Sequence, residues 1–175
     1  PFEGGMAVKS WDGTLYMSTD NAQSFDFVTF NTSGRMIATD NGNIIALPYR
    51  YNIAGGTLDT IIIPGISDVT YCNFSYGDGQ LLASRDFQSV FWRSLDDGIT
   101  WDSIPMGTSE ISYTPGLIDG RLFLTFQSTE EVRVTEDLGA TWTNFTLGMS
   151  FNDANAWYKQ LHRIGDILLL EGVDS

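Results

Sequence analysis

Apolar residues along this chain recur at alternate positions over short stretches and almost nowhere at the three-to-four-residue spacing of a helix. The runs Met6–Ser10, Leu15–Ser18, Phe25–Phe30, Leu81–Ser84, Val90–Arg93 and Arg121–Phe126 are four to six residues long. Gly, Asp and Asn residues cut them apart. Short runs rich in β-branched and aromatic residues, bounded by turn formers, predict strands. The best helical candidate, Asn152–Gln160, is brief. The pattern predicts an all-β chain.

The strands recur. A glycine turn followed by an apolar strand is found at Asp40-Asn41-Gly42 before Asn43-Ile44-Ile45-Ala46, and at Gly77-Asp78-Gly79 before Gln80-Leu81-Leu82-Ala83. Ile118-Asp119-Gly120 before Arg121-Leu122-Phe123-Leu124 and Gly165-Asp166 before Ile167-Leu168-Leu169-Leu170 repeat it, and Gly4-Gly5 before Met6-Ala7-Val8 is a weaker copy. Counted from Gly5, Gly42, Gly79, Gly120 and Gly165, the steps are 37, 37, 41 and 45 residues. A period of this size predicts one four-stranded antiparallel unit per step. Such a unit is too small to bury both of its faces alone, so it stacks on its neighbours.

A sharper motif runs in phase with the turns. Ser94-Leu95-Asp96-Asp97-Gly98-Ile99-Thr100-Trp101 and Thr135-Glu136-Asp137-Leu138-Gly139-Ala140-Thr141-Trp142 share the form S/T-x-D-x-G-x-T-W and lie 41 residues apart. Ser18-Thr19-Asp20-Asn21-Ala22-Gln23-Ser24-Phe25 is a degenerate copy 76 residues before the first of these, and Gly55-Gly56-Thr57-Leu58-Asp59-Thr60 is an eroded one. An Asp side chain accepts hydrogen bonds from backbone N–H groups just after it, and the Ser or Thr adds another local bond. Gly98 and Gly139 supply the positive φ a tight hairpin needs. Trp101 and Trp142 then open the next strand and can fill the space between sheets.

The motif resembles the Asp-box, or BNR repeat, of the sialidase-like β-propellers, in which the box closes the hairpin between the third and fourth strands of each blade. The resemblance implies a β-propeller of four-stranded antiparallel blades with four to five repeats represented. The approximate repeats are 1–33, 34–66, 67–109, 110–150 and an incomplete 151–175. It also implies structural roles for Ser18, Asp20, Ser94, Asp96, Gly98, Thr100, Trp101, Thr135, Asp137, Gly139, Thr141 and Trp142. The turn glycine occurs five times and the box four, so residues 1–17 and 160–175 read as the same part of a blade. The expectation is a piece of a longer propeller of five to eight blades, with a small closed ring carrying one duplicated strand as the other reading.

Charge and composition narrow the function. The chain of 175 residues carries nine Lys and Arg against 22 Asp and Glu, a formal net charge of −13. That sign argues against a nucleic-acid partner, which needs a basic footprint, and against docking on anionic membranes. The 13% aromatic content excludes a disordered acidic tail. No apolar run approaches the roughly 20 residues of a membrane helix. Cys72 is the sole cysteine, which precludes an intrachain disulfide.

Candidate chemistry is sparse. His162 is the only histidine, Cys72 reads as a small buried residue, and no serine lies in a G-x-S-x-G context. The sialidases of the resembled family use an arginine triad, a tyrosine nucleophile with its glutamate, and an acid/base aspartate. Seven arginines are present, but the family's Arg-Ile-Pro signature is missing and no spacing gathers three of them. Arg133, between Val132 and Val134, reads as one half of a cross-strand ion pair. No catalytic residue, metal or cofactor is therefore expected. Tyr49, Arg50, Tyr51, Trp157 and Tyr158 fall near connections and are the candidate surface contacts.

These readings favour a non-catalytic interaction or scaffold module binding a protein or a glycan, within a larger homo-oligomeric assembly. The acid excess, the two lysines and the Asn/Thr/Ser/Gly-rich strands suggest an extracellular or virion-surface protein such as a phage tail component. The alternatives are a fragment of an Asp-box glycoside hydrolase, for example a sialidase, and an intracellular or organellar assembly factor.

Overall fold

The computed structural model describes residues 5–29, 31–32, 36–85, 88–107, 115–125, 131–146, 160–164 and 167–171. Among them are seventeen strands of three to five residues, one turn of 3-10 helix at Val69–Tyr71, and no α-helix. The residues 152–159 of the brief helical candidate lie outside this set, and Gln160 opens a strand.

The strands form five antiparallel meanders in chain order. The first sheet holds β1 (Met6–Lys9), β2 (Leu15–Ser18) and β3 (Asp26–Thr29). The second holds β4 (Met36–Ala38), β5 (Asn43–Ala46), β6 (Tyr49–Asn52) and β7 (Thr57–Thr60). The third is β8 (Asn73–Gly77), β9 (Gln80–Ser84), β10 (Val90–Ser94) and β11 (Asp102–Pro105). The fourth is β12 (Gly116–Ile118), β13 (Arg121–Thr125), β14 (Glu131–Thr135) and β15 (Thr143–Thr146). A two-stranded fifth follows, β16 (Gln160–Ile164) and β17 (Ile167–Glu171). This is the all-β architecture of propeller blades that the period predicted.

Turn chemistry fixes the register. Gly77 pairs with Gln80 across Asp78-Gly79, and Ile118 pairs with Arg121 across Asp119-Gly120. Both residues of each turn have positive φ, 48° and 72° in one and 52° and 72° in the other. Asp-Gly turns of this kind match the twist of the strands they join. The Asp78 Oδ2 also accepts the Gly120 N–H at 2.8 Å, tying one hairpin to the next.

The aspartate hairpin follows the third strand in the third and fourth sheets but the second strand in the first sheet. The first sheet therefore contains the last three strands of a blade, and β16–β17 the first two. In the second sheet the eroded copy sits differently from the expected span. Thr57–Thr60 is strand β7, the turn occupies residues 53–56, and Asn52 Oδ1 accepts the Gly55 N–H at 2.6 Å. Ile53, where the other copies carry Asp, packs against the core instead.

Contacts divide the chain into two compact units, Pro1–Tyr71 with Asp97–Thr100, and Cys72–Asp96 with Trp101–Ser175. In the first unit, one face of the first sheet (Leu15, Met17, with Ala7 and Val28) packs on one face of the second (Ile44, Ala46, with Met36 and Tyr51). In the second unit, Leu82, Phe91, Ile104 and Met106 of the third repeat meet Leu117, Leu122 and Leu124 of the fourth. The opposite face of the fourth sheet, Phe123, Val132 and Val134, is buried as well. Inner strands such as β5 and β9 are buried along nearly their whole length. Cys72 is buried, as expected.

Candidate interaction surface

The three aspartate hairpins share one hydrogen-bond pattern. Ser18 Oγ donates to Asp20 Oδ1 at 2.7 Å, Ser94 Oγ to Asp96 Oδ1 at 2.8 Å, and Thr135 Oγ1 to Asp137 Oδ1 at 2.7 Å. The carboxylate then reaches four residues ahead. Asp20 accepts the Ser24 N–H at 2.9 Å and the Ser24 hydroxyl at 2.6 Å, and Asp137 accepts the Thr141 N–H at 2.8 Å and hydroxyl at 2.6 Å. The first hydroxyl closes the ring by accepting the N–H four residues on, Ala22 to Ser18 and Gly139 to Thr135, each at 2.9 Å. Two successive residues at the tip have positive φ: Asn21-Ala22, Asp97-Gly98 and Leu138-Gly139.

These bonds set the acidity. The Ser24 hydroxyl, the Ser24 N–H and the Ser18 hydroxyl pull Asp20 down to about 2. The Thr141 hydroxyl, its N–H and the Thr135 hydroxyl hold Asp137 at about 2. Hydrogen bonds to a charged carboxylate favour that form. A general acid at neutral pH needs the opposite shift, so these two carboxylates are built to hold hairpins.

The two tryptophans precede β11 and β15. Trp101 meets Phe74 edge to face, with centroids 5.8 Å apart and planes at 89°. Trp142 packs against the Phe91–Ile104–Leu124 cluster, and Gly139 sits under it, where an added Cβ would lie 3.5 Å from its ring.

Sequence patterning missed one residue. Asp97 lies at a variable position of its hairpin yet is only 2% exposed. Its Oδ2 accepts the Thr39 hydroxyl at 2.8 Å and the Asn43 amide at 2.6 Å. Asn43 Oδ1 in turn accepts from Asn52 Nδ2 at 2.9 Å. The other copies carry Asn21 and Leu138 there, and that contrast is the only signal in the sequence.

The candidate contacts Tyr49, Arg50 and Tyr51 lie along strand β6, in the middle of a sheet, all half-buried. Arg50 pairs with Asp59 of β7 at 2.8 Å, and Tyr51 packs on the Leu15–Ile44 core. Trp157 and Tyr158 lie outside the described residues. An ion pair like that of Arg50 joins Arg93 to Asp102 at 3.1 Å, and the strand register sets Arg133 across from Leu124 and Asn144.

A different aromatic is presented to solvent. Trp11 is 98% exposed at the turn between β1 and β2. The turn is fixed on both sides of it. Ser10 N–H donates to Thr14 O at 2.9 Å and Gly13 N–H to Ser10 O at 3.1 Å. Asp12 Oδ1 accepts the Ser10 hydroxyl and, at 3.1 Å, the Thr14 N–H. Gly13, with φ of 83°, has its carbonyl gripped by both the N–H and the hydroxyl of Thr32 at 2.9 and 2.6 Å. A side chain at Gly13 would collide with the Thr32 backbone.

No family model matches the chain, and no curated protein matches it. Solved structures do. A structure described as YCF48 bound to D1 peptide is similar over 97% of this chain and 58% of its own, with 17% identity and a TM-score of 0.64. A streptogramin B lyase is similar over 84% of this chain and 56% of its own, with 13% identity and a TM-score of 0.56. A GH74 enzyme of Niastella koreensis is similar over 78% and 21%, with 15% identity and a TM-score of 0.51. The chain thus spans little more than half the length of the first two. The similarity is one of fold, and the fold is the β-propeller.

Proposed function

We propose that this chain is a non-catalytic β-propeller module that binds a protein partner. The observation that carries the reading is Trp11, held fully exposed on a turn that its neighbours lock. Trp supplies large contact area, and a turn already fixed in its bound shape pays little ordering entropy on association. A similar propeller has been seen with a peptide bound, which favours a protein over a glycan as the partner. The setting we propose is the outside of a virion or cell, for which the acid surplus and the scarcity of lysine speak.

The test is a peptide array probed with the intact chain beside Trp11→Ala. Binding spots that weaken at least tenfold in the variant support the module. Binding that ignores Trp11 overturns the assigned surface. Turnover of chromogenic sialosides or glucosides by the purified chain would instead establish the glycoside hydrolase alternative.

A further inference from the structure

One end of the first unit carries a second locked apolar side chain besides Trp11. The β1–β2 turn joins the second and third strands of its blade, as the β5–β6 turn does in the second sheet. Residues 30–35 carry the chain from the end of β3 to the start of β4, and β5 runs back toward that start. Both turns therefore lie on the same end of the unit. One recurring bond ties each turn to the connection that leaves its sheet. The Gly13 carbonyl accepts the Thr32 N–H at 2.9 Å, and the Pro48 carbonyl accepts the Ile61 N–H at 2.8 Å. The third repeat has it too, from Met106 N–H to Ser89 O at 2.9 Å.

Ile62 stands out of this framework. It is 73% exposed, whereas Ile61 and Ile63 on either side are 3% and 1% exposed. A bond from Ile66 N–H to Ile63 O at 3.1 Å closes the turn that follows. Two buried neighbours thus hold Ile62 into solvent, mid-chain, with a complete four-stranded sheet before it and another after it. Beside Trp11 stands a carboxylate. Asp12 is exposed, and the Ser10 hydroxyl and Thr14 N–H that fix the turn hold its carboxyl below the ordinary value, so it is charged at neutral pH. Residues 10–14 and 61–68 contain Asp12 and Asp68 and no Lys or Arg. The cation nearest to them in sequence, Lys9, precedes them on β1 and is half-buried.

We infer that this end binds a partner segment presenting an arginine, its guanidinium stacked on the Trp11 ring against the Asp12 carboxylate, with an aliphatic side chain of the same segment on Ile62. The inference rests on the partner-binding reading above and gives the chemistry of that partner. An aromatic face beside a carboxylate suits a guanidinium, which stacks through its plane and donates hydrogen bonds from its edge. Lysine is a more strongly hydrated point charge and gains less from the ring. Packed sheets lie about 10 Å apart, so several extended residues at about 3.3 Å each span the two anchors. The net charge of −13 steers a cationic segment toward the chain and repels acidic competitors. That attraction weakens as salt is raised.

An array of short random-sequence peptides probed with the intact chain tests this, the strongest binders being remade with each arginine replaced by glutamine or by lysine. Loss of one arginine to glutamine should weaken binding at least tenfold, and the lysine peptide should fall between the two. Asp12→Asn keeps an oxygen to accept both turn bonds and removes only the charge. It should weaken binding at least fivefold and remove most of the salt dependence. Ile62→Ser should weaken binding at least threefold, with circular dichroism of both variants that of the parent. Glutamine peptides that bind as well as their arginine parents, or an Asp12→Asn chain that binds unchanged, overturn the inference. Binding that still depends on Trp11 in those cases leaves the partner-binding reading standing. An array without any Trp11-dependent binder overturns both.

Discussion

Position five of the aspartate hairpin offers a reciprocal experiment, because the same backbone site is Ala22 in one copy and Gly139 in another. The two residues make the same hydrogen bond, N–H to the leading hydroxyl at 2.9 Å, and both have positive φ, 65° and 86°. An L-residue with left-handed backbone costs roughly 1–2 kcal/mol. Ala22 is exposed, so its methyl contributes little packing in return. Ala22→Gly removes the strain but adds about 0.4–1 kcal/mol of unfolded-state entropy. The net expectation is a gain of about 0.5–1 kcal/mol.

At Gly139 both contributions reverse. A Cβ there would lie 2.7 Å from Ile104 Cγ2 and 2.8 Å from Pro105 O. Overpacking typically costs about 1–3 kcal/mol. With the backbone strain, Gly139→Ala should destabilise by about 2–4 kcal/mol. Urea unfolding followed by tryptophan fluorescence reads both variants against the parent at constant m-value. A loss on Ala22→Gly beyond about 0.5 kcal/mol, or a neutral Gly139→Ala, would show that positive φ is not what selects glycine in this hairpin.

Three further expectations follow from the same contacts. Asp20 and Asp137 have carboxyls lowered to about 2, so their contribution to stability is complete above the ordinary value near 3.9 and is lost as pH falls toward 2. Carbon-detected NMR titration should find both midpoints near 2, and midpoints near 4 would mean that the hydroxyl bonds are not formed in solution. Trp142→Ala should cost about 3 kcal/mol in urea melts, because the ring covers the Phe91–Ile104 cluster, and a loss under about 0.5 kcal/mol would place the ring in solvent. Asp97→Ala strips two buried donors, Thr39 and Asn43, of a charged acceptor and should cost about 3 kcal/mol, while Asp97→Asn, which keeps an acceptor oxygen, should cost less than half as much in the same assay.

Much of the fold was legible because it is repetitive. A two-residue Asp-Gly turn and a strand of alternating or wholly apolar residues carry their own register, so Asp78-Gly79 and Asp119-Gly120 mark strand starts without knowledge of the tertiary structure. The S/T-x-D hairpins were legible for the same reason: every bond in the ring spans four residues or fewer. Tyr49, Arg50 and Tyr51 were less so. Their mixed aromatic and charged character reads as a surface connection, but pairing β6 between β5 and β7 gives Arg50 its Asp59 and turns Tyr51 into the core. Only long-range pairing decides such a segment. Trp11 was one aromatic among many, since solvent exposure depends on which side of a turn the rest of the chain occupies.

Asp97 and Ile53 show two ways in which one hairpin position is adapted to its surroundings. In the second sheet the aspartate is replaced by Ile53, whose side chain anchors the turn by joining the Leu15–Ile44 cluster. A local polar ring and an apolar anchor are thus alternative fixings of the same hairpin, and erosion of the motif there does not imply erosion of the blade. In the third hairpin the Ser94–Asp96 bond is kept, and the neighbouring Asp97, itself part of the first unit, binds Thr39 and Asn43. A buried carboxylate demands donors, so Asp97 constrains its site more tightly than the half-buried Asp96 beside it. The acid excess of this chain therefore has at least two physical origins, hairpin closure and buried anchoring. Neither requires a cationic partner, so the turn around Trp11 is where the proposed partner recognition is to be tested.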